Sequence, residues 1–194
     1  MTFFGSIIRE LLDKGHTVDI ACNESDSQVP DCYRDWGCGI HRIDCVRTPF
    51  AAGNARAVGQ IRRLVRENGY GIVHCHTPIA AACTRLACKD LRKEGVRVFY
   101  TAHGFHFYKG APLKSWLLYY PIEKLCAHFT DTLITINRED YALAKRKMKA
   151  GQVVYVPGGG IDVDKFRNTG STARRRERSW ASLRMRFCCC QWGN

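Results

Sequence analysis

The order of apolar and polar residues along the chain predicts strands that alternate with helices. Short apolar or alternating runs typical of strands occupy residues 16–22, 39–46, 71–76, 97–104, 131–137 and 153–157. Apolar residues at helical spacing occupy residues 2–14, 54–68, 79–95, 112–129 and 138–148. Because the two kinds of element alternate, the pattern predicts an α/β fold: a doubly wound parallel sheet with helices on both faces.

Individual residues predict where some helices end or bend. Gly69 follows the second helix and is a typical C-terminal stop. Pro121 lies inside the long helical segment, which it is expected to kink or split in two. Asn137 is placed to cap the next helix, and the acidic residues after it suit the positive end of the helix dipole.

The central unit, residues 71–110, carries the first functional candidates. It predicts a strand, a helix and a second strand, which form a right-handed crossover between parallel strands. In open α/β sheets, ligands bind beyond the carboxyl ends of the strands. His76 and His103 fall at these two strand ends, so we expect both to face a ligand. The structural alternative for His103 is an imidazole bonded to neighbouring backbone, and His74 is expected in or near the core.

A zinc site is the alternative function for these histidines. In a strand, His74 and His76 face one side and Cys75 faces the other, and no third convergent ligand is evident. No metal is therefore predicted. No GxSxG or Walker motif occurs, and Gly158, Gly159 and Gly160 lack the GxGxxG spacing, so we interpret these three glycines as a hinge.

The loop after the second strand of this unit holds further binding candidates. Gly104 leaves room for a ligand beside His103. Phe105 is predicted either to contact a sugar or to pack in the core. Lys109 is predicted either to attract a pyrophosphate or to be simply solvated. The aromatic segment 116–120 suits either a membrane interface or, more often, a buried helix face.

The charge and the cysteines of the chain indicate which ligands and which cellular compartment suit it. About half of the formal charge of +12 comes from residues 167–194, which have no sustained period and are predicted to be a basic tail outside the fold. The remaining basic residues suit an anionic membrane surface or phosphorylated ligands. Several of the 11 cysteines lie in apolar runs without a CxxC pair, which favours a reducing cytoplasm. No nucleic-acid-reading motif accompanies the charge, so no nucleic-acid partner is expected.

An ordered set of segments resembles the N-terminal domain of family-4 glycosyltransferases of the GT-B type. It consists of HTVDIACN, IVHCHTP, YTAHGFHFYKGAP, TLITINRED and VYVPGGGIDVDKF, within residues 2–166. The resemblance is strongest to enzymes that build bacterial capsular and exopolysaccharides. It divides the chain into an incomplete Rossmann-like domain at 1–166 and the tail at 167–194.

This resemblance implies a function. Such enzymes transfer a sugar from a nucleotide-sugar donor to a glycan or lipid-linked acceptor, with retention of configuration and usually without a metal or other cofactor. By the likeness, His103 would contact the transferred sugar near the reacting centre, His76 would line the acceptor side of the cleft, and residues 158–162 would enter the interdomain linker. The candidates Gly104, Phe105 and Lys109 would add substrate contacts in the loop beyond His103. A cytoplasmic protein, peripheral at the inner face of the membrane, is implied.

Two departures from the family pattern shape the functional prediction. The chain starts inside the family's first helix, so the first strand, which lies between the strands at 16–22 and 71–76, is expected to be missing and its neighbours unpaired. The donor domain is also missing, so the chain is expected to be inactive alone. The alternatives are a non-catalytic binding or regulatory module for polysaccharide precursors or a partner synthase, and a basic nucleic-acid binder.

Overall fold

The structure, a computed structural model, describes residues 4–24 and 29–158, together with the backbone of residues 186–190. The strands are β1 Thr17–Cys22, β2 Ile40–Arg42, β3 Ile72–His76, β4 Arg97–Ala102, β5 Thr132–Thr135, β6 Gln152–Tyr155 and β7 Arg186–Cys190. The helices are α1 Gly5–Asp13, α2 Cys32–Asp35, α3 Ala52–Asn68, α4 Pro78–Cys88, α5 Leu113–Ala127 and α6 Arg138–Lys147, and a 3₁₀ turn covers Leu91–Glu94.

These strands form one seven-stranded parallel sheet in the order β2-β1-β7-β3-β4-β5-β6. Helices pack on both faces. The larger apolar cluster holds Val73 and Cys75 of β3 with the buried residues of α3 and α4. The smaller cluster, on the other face, joins Ile8 of α1 to Val18 and Ile20 of β1. The predicted α/β fold with a doubly wound parallel sheet is confirmed.

The turn chemistry behaves largely as expected. Gly69 ends α3 with a φ of 62°, a left-handed conformation that glycine adopts at little cost, and its N–H donates to Val65 O at 3.1 Å. The side chain of Asn137 caps α6, accepting from Asp140 N at 2.8 Å. Pro121, however, does not split its segment, because α5 continues through it from Leu113 to Ala127.

The position between β1 and β3 differs from the expectation. The facing edges of β1 and β3 are not unpaired, because β7 lies between them. Cys188 of β7 pairs with Asp19 of β1 on one side and with Val73 of β3 on the other. Residues 186–190 therefore depart from the predicted tail outside the fold, because their backbone supplies hydrogen bonds that both inner strands require. The rest of the predicted tail lies outside the described residues.

Candidate functional site at the carboxyl edge of the sheet

His76 and His103 meet at the carboxyl edge of the sheet. β3 ends at His76, and His103 directly follows the end of β4, its parallel neighbour. His76 Nδ1 lies 3.2 Å from His103 Nε2, so one imidazole donates a hydrogen bond to the other. The two histidines therefore lie together at the strand ends, where the sequence pattern predicts them, and their roles stay predictions.

His74 lies behind this pair and supports it. His74 Nε2 shares a hydrogen bond of 2.8 Å with Thr101 Oγ1 on β4, and the ring centroids of His74 and His76 are 4.3 Å apart. Cys75 faces the opposite way, with its thiol 3.3 Å from Phe99 O, as the alternation along a strand predicts. His74 is thus part of the packed base of the site.

One nitrogen of the pair is left without a hydrogen bond. His76 is 2% exposed, and its Nε2 has no partner in the described parts of the chain. The ring of Phe4 covers it, with centroids 4.3 Å apart. A buried polar atom without a partner costs free energy, so this nitrogen is a position where an added hydroxyl or water would gain a bond.

Burial keeps the three imidazoles neutral. It lowers the pKa of His74 to about 4, with a smaller contribution from His103. It lowers the pKa of His76 well below the ordinary value, assisted by His74 and His103, and partial burial also lowers the pKa of His103. Near neutral pH, each ring therefore offers one donor and one acceptor nitrogen, which suits hydroxyl groups.

The turn after His76 is strained. Thr77 has a φ of 60° and a ψ of 145°, a conformation that belongs almost entirely to glycine. α4 begins immediately afterwards with Pro78. Nothing in the local sequence predicts this strain, because threonine normally avoids the conformation.

The loop after β4 is fixed by the start of α6. Asp140 Oδ2 accepts from the backbone N–H of Phe105 at 3.0 Å, and Glu139 Oε1 accepts from that of Lys109 at 3.1 Å. Gly104 has a φ of 142°, and a Cβ added there would meet no atom within 4 Å. The space beside Gly104 is therefore open, and its part in binding a ligand stays a prediction.

The side chains of this loop divide between the core and the surface. The ring of Phe105 is 6% exposed and stacks on Phe107 at a centroid distance of 4.8 Å, so its packing alternative holds and a direct sugar contact by the ring does not. Lys109 is exposed. Gly158, which follows β6, has a φ of 47°, whereas Gly159 and Gly160 lie outside the described residues, so the hinge stays a prediction.

Sequence reasoning missed Phe4 and Thr101, which complete the surroundings of the imidazoles. Phe4 packs on His76 from the start of α1, a long-range contact that no local pattern reveals. Thr101 alternates with the core residues of β4 and so faces the histidine side of the sheet, which the strand period would have indicated. Within the described residues, no cluster of histidine, cysteine or carboxylate side chains is arranged to hold a metal ion.

Comparisons with known proteins agree with this fold. The family model for the glycosyl transferase 4-like domain matches residues 2–159. The chain belongs to this family. Over 133 residues it is 44% identical to the "Putative glycosyltransferase EpsD" of Bacillus subtilis (strain 168), a match that covers 68% of this chain and 35% of that protein. The chain thus spans about a third of the length of the curated relative that it matches.

The family match reaches across β1, β3, β4 and the loop fixed by α6, so it includes every residue of the imidazole cluster. None of the helices in the described ranges is long and apolar enough to cross a bilayer.

Proposed function

We propose that this chain is the acceptor-binding part of a glycosyltransferase that retains anomeric configuration. The donor would be a nucleotide sugar, and the acceptor a glycan or lipid-linked precursor of a capsular polysaccharide or exopolysaccharide. The family membership supports glycosyl transfer as the reaction class, and the name of the relative supports the same class. The proposed setting is the cytoplasm, at the inner face of the membrane.

The observation that carries the proposal is the contact between His76 and His103 at the carboxyl edge. His76 Nδ1 and His103 Nε2 are 3.2 Å apart, so the buried, neutral imidazole of His76 holds the ring of His103, which can offer its other nitrogen to a sugar hydroxyl. His103 is the exposed member of the pair and lies beside the open backbone of Gly104.

In this proposal, His103 bonds an acceptor hydroxyl and orients it against the transferred sugar, and His76 holds the ring of His103. The contribution is positioning, because the lowered pKa values keep both rings neutral and therefore poor sources of a proton near neutral pH. No metal or organic cofactor is part of the proposal. The donor contacts would come from a second domain, so the chain alone is expected to transfer no sugar.

The test uses calorimetry to measure how tightly the chain binds a short-chain lipid-linked precursor, farnesyl-pyrophosphoryl N-acetylglucosamine. The wild-type chain should bind it, and His103→Ala should weaken binding about tenfold, the value of one or two hydrogen bonds. His128→Ala is the matched control, because this exposed imidazole follows α5 and precedes β5, at the opposite edge of the sheet.

Two results would overturn the proposal. The first is equal affinity of wild type and His103→Ala, or no binding by the wild type at all. The second concerns the expected inactivity: sugar transfer from UDP-N-acetylglucosamine to the same precursor by this chain alone would show that no second domain is required.

A further inference from the structure

Cys45 and Cys83 place two buried sulfurs side by side in the larger apolar cluster, on the face of the sheet that carries α3 and α4. The Cys45 thiol donates to Cys83 Sγ across 3.8 Å, although the two residues are 38 positions apart in the sequence. Cys45 is fully buried, and Cys83 is 6% exposed. Because Cys45 lies between β2 and α3 and Cys83 lies in α4, the contact joins two separate segments of the fold.

Hydrogen bonds from two asparagines hold this contact in place. Asn54, in the first turn of α3, accepts through its side chain from the backbone N–H of Val46 at 2.8 Å. Its backbone carbonyl accepts from the Cys83 thiol at 3.8 Å. Asn23 Nδ2 donates to the carbonyl of Cys45 at 3.0 Å. The backbone on both sides of the Cys45 sulfur is therefore fixed opposite α4.

The environment makes Cys83 the more reactive of these thiols. The hydrogen bond from Cys45, opposed by burial, lowers the pKa of the Cys83 thiol below its ordinary value. The thiolate is the form of cysteine that attacks an oxidant, and Cys83 is the partly exposed member of the pair. Cys126 of α5 offers a contrast, because burial raises the pKa of its thiol. We therefore expect Cys83 to react and Cys126 to stay inert.

We propose that Cys83 and Cys45 form a dithiol that hydrogen peroxide oxidises reversibly to a disulfide. Bond formation brings two sulfurs to about 2 Å, an approach that rotation of the side chains supplies from 3.8 Å. The bond would fasten the segment between β2 and α3 to α4. This oxidation is independent of glycosyl transfer, so the inference goes beyond the proposed function and does not depend on it.

The oxidation proceeds in two steps. In the first, the Cys83 thiolate attacks one oxygen of hydrogen peroxide, the O–O bond breaks, and hydroxide leaves and takes up the proton that Cys83 released. This step gives a sulfenic acid on Cys83 and one water. In the second, Cys45 Sγ attacks Cys83 Sγ, the S–O bond breaks, and the hydroxyl group leaves with the Cys45 proton as a second water. Two thiols are oxidised to one disulfide while one peroxide is reduced.

The experiment treats the full chain with hydrogen peroxide, blocks the remaining thiols and maps the tryptic peptides without a reductant. Cleavage after arginine places Cys45 in peptide 43–47, whereas peptide 67–85 holds both Cys75 and Cys83, so fragment spectra assign the cross-link within it. We expect Cys45 to be joined to Cys83 roughly tenfold more often than to any other cysteine. Dithiothreitol should separate the two peptides.

Three variants separate the roles of the thiols. In Cys45→Ser, the sulfenic acid on Cys83 has no resolving thiol, so dimedone should label Cys83 more strongly than in the wild type. In Cys83→Ser, Cys45 should stay reduced. Cys126→Ser is the matched control, because it also removes a buried cysteine and should leave the cross-link between Cys45 and Cys83 as in the wild type.

The cross-link should also stabilise the fold. It joins residues that are 38 positions apart, so it restricts the unfolded chain, and the thermal unfolding midpoint of the oxidised chain should rise by about 10 °C. Reduction should reverse the rise. Cys126→Ser should show the same rise on oxidation, whereas Cys83→Ser should show none.

Three outcomes would overturn the inference. The first is oxidation of the exposed Cys32 while Cys45 and Cys83 stay reduced, because the pair would then be ordinary core packing. The second is a cross-link of Cys45 to Cys75, or to any other cysteine, as often as to Cys83. The third is an unfolding midpoint that oxidation leaves unchanged or lowers, because the bond would then not fit the native fold.

Discussion

β4 buries polar groups on both of its faces, but the two sides of the sheet treat them differently. On the side of α4 and α5, Tyr100 donates to Glu123 at 3.0 Å, and Arg85 lies over the Tyr100 ring at 4.2 Å while pairing with Glu123. On the side of α1, Thr101 bonds to His74, and no carboxylate of the described residues bonds to either side chain. One face is built around a buried charge pair and the other around neutral rings.

The difference separates a structural site from a candidate binding site. Arg85 and Glu123 neutralise each other beneath α4 and α5, and burial, followed by the charge of Glu123, raises the pKa of Tyr100 well above its ordinary value. The cluster of imidazoles instead reaches the surface, where its member His103 is exposed. A buried pair resists any change of one partner, whereas a neutral cluster at an edge can exchange partners with a ligand.

The largest expected effect comes from breaking the charged side. Glu123→Ala leaves the guanidinium of Arg85 buried without its counterion and should lower the free energy of unfolding by about 3–5 kcal/mol. Urea denaturation measures this. The matched control is Glu94→Ala, which removes an exposed ion pair with Arg66 and should cost about 1 kcal/mol or less. Equal losses in the two variants would show that Arg85 and Glu123 are not a buried pair.

The face of the sheet that carries the neutral histidines should lose stability in acid. His74 is neutral in the folded chain down to a pKa of about 4, whereas an unfolded histidine takes up a proton near pH ~6.5. Stability from this group is therefore complete above pH ~6.5 and is lost as the pH falls to about 4, by roughly 3 kcal/mol.

Urea denaturation at a series of pH values checks this expectation. The free energy of unfolding of wild type should fall more steeply between pH ~6.5 and ~4 than that of His74→Asn, which cannot titrate. If the two curves stay parallel across this range, His74 is not held neutral by the fold.

The smallest effect is expected from the strained turn at Thr77, which connects β3 to α4. Thr77→Gly should raise the free energy of unfolding by about 1 kcal/mol, because glycine adopts the φ and ψ of this position without steric cost. A lower denaturation midpoint for Thr77→Gly would mean that the threonine side chain supports the turn. A matched comparison is Thr132→Gly in β5, where the substitution should instead destabilise.

Local chemistry made part of this structure predictable. The histidines at the ends of β3 and β4 follow from the strand pattern and the geometry of parallel sheets, and the end of α3 follows from Gly69. Asn137 was predicted as a cap, because its side chain competes for the first free backbone groups of α6.

Long-range packing made the rest unpredictable. Arg85 is a polar residue in the pattern of α4, and only the approach of α5 makes its burial possible. Phe105 lies in a loop, and its packing depends on Asp140 of α6. The pairing of 186–190 with β1 and β3 depends on partners more than a hundred residues away, and its short cysteine-rich sequence has no strand alternation.

The position of β7 has a consequence for the order of folding. β2 with β1, and β3 with β4, β5 and β6, can form two partial sheets from nearby segments, but only β7 joins them. The joining strand is translated after both, so a nascent chain on the ribosome carries two open sheet edges until residue 190 has emerged. Closing such a large loop is a slow, late step. The newly made protein should therefore depend on chaperones more than its size suggests.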